Sequence, residues 1–74
     1  MELETFLKRT KIIAEIEGKK REIRMSLKEF IEYIEALKHL GVKVEITIIP
    51  NYFDPIEVKL AETLEKWLKI KCNY

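Results

Sequence analysis

Glutamine does not occur in this chain, and serine, histidine, aspartate, cysteine and tryptophan occur once each. A lone cysteine, Cys72, excludes an internal disulfide and a thiolate metal cluster. It suits a reducing compartment, so a cytoplasmic location is expected. With Ser26 the only serine and His39 the only histidine, there is little material for a nucleophile held beside a base and an orienting third group. The two glycines, Gly18 and Gly41, stand far apart, which excludes a glycine-rich phosphate loop. No apolar run approaches the roughly 20 residues of a membrane span. The opening "MELETFLKR" lacks the basic-then-apolar layout of a signal peptide. A net charge of +1 gives no global pull toward nucleic acid or anionic lipid.

What is present describes a folded chain. Its 74 residues are 47% hydrophobic and 36% charged, enough for one small domain, residues 1–74, and no more. Such a domain buries only about 60% of the surface its unfolded chain exposes, so its core is thin. Lysine, glutamate and isoleucine dominate, a bias shared by hyperthermophile proteins and by idealised sequences. A thermostable protein is expected.

Periodicity divides the chain into a lead, a hairpin, a helix, a strand and a second helix. Residues 1–9 fit one helical turn through Leu3, Phe6 and Leu7 and an extended run through Leu3, Thr5 and Leu7, and are expected to be a short helical or irregular lead. Residues 11–25 read as a β-hairpin, with Ile12, Ala14 and Ile16 alternating in one strand and Ile23 and Met25 in the other. A type II′ loop at Gly18-Lys19 would pair Glu17 with Lys20, Ala14 with Ile23 and Ile12 with Met25. Ser26 and Glu29 form a capping-box pattern, Met25 and Phe30 a hydrophobic staple, and Gly41 a left-handed stop. Residues 27–40 are therefore a helix with Leu27, Phe30, Ile31, Ile34 and Leu37 on its apolar side.

Residues 42–49, "VKVEITII", alternate as a half-buried strand that Pro50 ends. Asp54, Pro55 and Glu57 supply the cap, first-turn proline and box of a helix over residues 55–71, with Phe53 and Val58 spaced as a second staple. Ile56, Leu60, Leu64, Trp67 and Leu68 make its stripe, with Ala61 at the edge, and Cys72 falls on the buried side of the last turn.

The order ββαβα predicts an α+β two-layer sandwich: a three-stranded mixed sheet with two helices packed on one face. A right-handed crossover makes the second and third strands parallel. The third strand lies beside the first, in order 2-1-3, or beside the second. One core is expected to hold Ile12, Ala14, Ile16, Ile23, Met25, Ile31, Ile34, Val44, Ile46, Leu60, Leu64 and Trp67.

Three functional readings compete. A metal site would need Glu32, Glu35 and His39, but the simpler account of that run is a solvated helix face, with Glu35 and His39 paired at i,i+4. No catalytic residue, cofactor, metal or small-molecule substrate is assigned. Nucleic-acid contact would use Lys8, Arg9, Lys11, Lys19, Lys20, Arg21 and Arg24; residues 8–24 carry a net +4 and the remainder −3. Against it, Glu15 would face Glu22, and the sheet lacks the aromatic platform of single-strand readers. Protein association draws on Ile13, Tyr33, Leu37, Leu40, Ile49 and Tyr52, apolar groups beyond what a thin sheet covers, and on open sheet edges. The leading expectation is a non-enzymatic interaction module that self-associates or binds a partner chain, with no membrane role.

Overall fold

The chain runs α1 (Leu3–Arg9), β1 (Lys11–Ile16), β2 (Lys19–Glu22), α2 (Leu27–His39), β3 (Val44–Ile49), α3 (Pro55–Leu68) and β4 (Cys72–Asn73), in a computed structural model that describes residues 2–74. The class is α+β, as expected, but with three helices and a four-stranded mixed sheet in the order β2-β1-β3-β4. Both β2 and β3 pair antiparallel with β1, so they run parallel to each other on its two sides. This is the 2-1-3 arrangement, extended by β4, which joins β3 in parallel.

The lead is helical because Phe6 and Leu7 are buried in the common core. Ile12, Ala14, Ile23, Ile46, Ile48 and Cys72 all project from one face of the sheet. Phe30 and Ile34 of α2 and Ala61, Leu64 and Leu68 of α3 meet them in a single cluster. The helices therefore cover one face, and Lys11, Glu45 and Ile49 on the other face are exposed.

Local chemistry fixes most boundaries. Ser26 Oγ accepts from the Glu29 N–H at 3.3 Å, but the box is not closed by Glu29. Instead the Glu4 carboxylate, on α1, accepts from the Leu27 N–H at 3.1 Å and satisfies a second orphan donor of α2. At the other end Gly41, at φ 74°, and Val42 donate back to the Lys38 and Leu37 carbonyls. That is a Schellman motif, and it consumes Val42, so β3 starts only at Val44.

The hairpin register differs from expectation by two residues. Ile16 faces Lys19 and Ala14 faces Arg21, which places the loop at Glu17-Gly18. Both loop residues have positive φ, 52° and 81°, the requirement of a type I′ turn rather than II′. A two-residue shift keeps every side chain on its face, so Ile12 and Ile23 still share the core. It also sets Glu15 opposite Lys20, not Glu22.

The second helix of the expected pair, α3, is rotated. Its buried positions are Glu57, Ala61, Leu64 and Leu68, and Ile56 and Trp67 lie outside the core. Two features favour this face. Ala61 has no bulk to hold neighbours away, and the buried Glu57 Oε1 accepts from the Asn51 N–H at 3.2 Å, tying down the loop after β3. Glu57 therefore does not complete a capping box; Asp54 caps alone, accepting from the Ile56 N–H at 3.0 Å. The expected staple also fails, since Phe53 is 98% exposed.

The helix ends at Leu68 rather than residue 71. Lys69 adopts φ 57°, and Lys38 Nζ of α2 donates to the Leu68 carbonyl at 3.1 Å. Glu65 then holds the returning chain: its carboxylate accepts from the Cys72 N–H at 2.7 Å and the Tyr74 hydroxyl at 3.3 Å. Cys72 is thus a buried strand residue, not a helical one.

Candidate docking surface

Ile56 and Trp67, left outside the core by the rotation of α3, lie on its outer side, while Leu60 between them still packs against the core. Ile56, Leu60, Thr63 and Trp67 recur at i, i+4, i+7 and i+11, which places them on one side of the helix. Ile56 is 56% and Trp67 52% exposed, while Leu60 and Thr63 are half-buried between them. The seam is about 16 Å long, at 1.5 Å of rise per residue. Thr63 adds no free hydrogen-bonding group, because its hydroxyl donates to the Lys59 carbonyl at 2.9 Å. In the loop before α3 the rings of Tyr52 and Phe53 are exposed as well. Phe53 is held there by an Asx turn in which Asn51 Oδ1 accepts from its N–H at 3.1 Å.

At the other end of α3 Trp67 faces α2 across a groove. The groove, of about 430 Å³, is lined by Trp67, Leu27, Ile31, Lys28, Glu32 and Glu4. The Glu4 carboxylate is engaged with the Leu27 N–H, so its negative charge serves the start of α2.

The expected association residues do not make one patch. Tyr33 and Leu37 pack against the core, Leu40 is exposed at the end of α2, and Ile13 is half-buried on the open sheet face. Ile49 and Tyr52 are exposed near the end of β3, the opposite end from Leu40. Phe53, Ile56 and Trp67 were missed because their spacing also fits a staple and a core stripe.

The basic residues are divided as well. Lys8 and Arg24 line a depression of about 370 Å³ with Glu4, Leu7, Met25 and Ser26. Lys19, Lys20 and Arg21 lie on β2, at or near the turn end of the hairpin, all exposed. Lys20 shares the open sheet face with Lys11, whereas Lys19 and Arg21 point to the helical side. Arg24 is paired to Glu22 at 3.0 Å. The open face itself carries Glu15 directly opposite Glu45.

No three His, Cys, Asp or Glu side chains among the described residues converge on a metal-sized site. No helix among them is long and apolar enough to cross a membrane. Burial pushes the Cys72 thiol up to about 12, with the Glu65 carboxylate adding to the effect, so the group stays protonated and is a poor nucleophile. Comparison with family models, with curated proteins and with solved structures finds no match to this chain.

Proposed function

We propose that this chain is a non-enzymatic protein-interaction module whose docking surface is the outer side of α3 with the loop before it. The observation that carries the reading is the exposure of Ile56 and Trp67 on the outer side of α3 and of Tyr52 and Phe53 in the loop before it, four large apolar side chains on a domain this small. Aromatic side chains dominate the energetics of protein interfaces, and exposed apolar surface on a small domain is costly unless something covers it. The scarcity of catalytic side chains supports the same conclusion: Ser26 and Asp54 are both spent as caps.

Panning a random peptide library against the immobilised protein tests this. Binders should be enriched, and should lose at least tenfold in affinity when Ile56→Asp and Trp67→Ser are combined, with circular dichroism confirming that the variant folds. No enrichment, or binders indifferent to the two changes, would sink the proposal.

A second reading, nucleic-acid contact through the hairpin, is favoured by one observation. Within the hairpin Glu15 faces Lys20 and not Glu22, so the like-charge pair between its two strands is absent, although Glu45 flanks Glu15 on the β3 side. Fluorescence anisotropy with labelled oligonucleotides at low salt decides the matter. Binding that is lost when Lys19, Lys20 and Arg21 become glutamate supports it, and absence of binding ends it.

A further inference from the structure

The seam on α3 has a charge pattern beside it, and that pattern selects among occupants. Resting on the docking reading above, we infer that the occupant is an amphipathic helix from another protein, with acidic residues flanking its apolar seam. Ile56, Leu60, Thr63 and Trp67 follow the alternating four- and three-residue steps of a heptad seam, the spacing that accepts a helix of complementary period. One flank of that seam is closed by the core of the domain. The other carries Lys59 and Lys66, seven residues apart and both exposed, with Glu62 behind them and farther from the seam. Neither is paired, since the ion pair among the described residues joins Arg24 to Glu22. Lys28 adds a third positive charge on the α2 wall of the groove; Glu32 is the acidic group there that no backbone donor engages.

A second copy of this chain fits that pattern poorly. Antiparallel pairing of two such seams sets Lys59 against Lys66 of the other copy, and parallel pairing aligns lysine flanks with the closed side. Like charges in register repel, whereas carboxylates opposite Lys59 and Lys66 attract and steer the approach.

The test uses the intact chain and two synthetic 21-residue peptides, free of tryptophan, with leucine at the seam positions. One carries glutamate at both flanks and the other lysine, and both are used at concentrations where they are monomeric. Trp67 is the only tryptophan in the chain, so its emission reports occupancy of the groove directly. The acidic peptide should shift the emission to the blue and bind about tenfold more tightly than the basic one, with a preference that fades as salt is added. Combining Lys59→Glu with Lys66→Glu should invert the preference while leaving the melting temperature within a few degrees.

Equal binding of both peptides, unaltered by the charge reversal, overturns the acidic-flank inference and leaves the docking surface standing. Failure of both peptides, alongside library binders that still need Ile56 and Trp67, overturns the helical occupant. A concentration-dependent Trp67 emission in the chain alone, abolished by Ile56→Asp, would show that a second copy is the occupant.

Discussion

Leu64→Ala and Ile56→Ala remove the same number of carbon atoms from the same helix, and the two faces of α3 make their consequences differ. Leu64 is fully buried, so truncation forfeits about 2.4 kcal/mol of transfer free energy, at about 0.8 per methylene equivalent. The cavity left behind raises the cost to about 3–4 kcal/mol. Ile56 is 56% exposed, so less than half of the transfer term applies and water fills the space. Its truncation should cost about 1 kcal/mol. A domain of this size has roughly 4–11 kcal/mol of stability in total, and each kcal/mol moves its melting temperature by about 4–8 °C. Thermal and urea denaturation followed by circular dichroism should therefore show Leu64→Ala lowering Tm by well over 10 °C, and Ile56→Ala by only a few degrees. Equal losses for the two variants would refute the rotation of α3 and, with it, the exposed seam.

Other outcomes follow from single features of the fold. Glu17 and Lys69 hold positive φ without being glycine, so Glu17→Asn, which completes the preferred type I′ pair with Gly18, and Lys69→Gly should each stabilise by several tenths to about 1 kcal/mol in denaturant titrations. Thr10 is buried with its Oγ1 unpartnered, and Thr10→Val should raise Tm because it removes an unsatisfied hydroxyl at constant shape. The Cys72 thiol keeps its proton up to about 12, whereas the unfolded chain's thiol loses it near 9.0. Above that pH the folded state binds the more protons, so stability falls as pH rises from about 9 towards 12. Cys72→Ala should flatten that slope, and an unchanged slope would contradict the burial of the thiol.

The elements that could be read from sequence are those whose ends are marked by chemistry acting within a few residues. Ser26 and Gly41 bracket α2, and Asp54-Pro55 opens α3, because capping groups are recognisable where they stand. The inner face of the sheet was legible for a similar reason: a period of two in Ile12, Ala14 and Ile16, and in Val44, Ile46 and Ile48, survives even a wrong hairpin register. The end of α3 was not legible. Its left-handed stop is a lysine, and the partners that terminate it, Lys38 and the returning Cys72, are remote in sequence or held by tertiary contacts.

The docking seam failed to appear for a deeper reason. Two stripes of α3, one through Ile56 and Trp67 and one through Glu57 and Ala61, both satisfy helical periodicity. Hydrophobicity favours the first as core. The outcome depends on where Glu57 finds its partner, and that partner, the Asn51 N–H, becomes available only once the loop after β3 is in place.

The most direct test of the account is a map of backbone and side-chain NMR shifts as a library-selected peptide, or the acidic helical peptide, is titrated into the labelled protein. The account predicts changes concentrated at Phe53, Ile56, Thr63 and the Trp67 indole, with Leu27 and Ile31 following and the β1–β2 hairpin silent. Changes centred instead on Lys19, Lys20 and Arg21, or spread over the open face of the sheet, would contradict it.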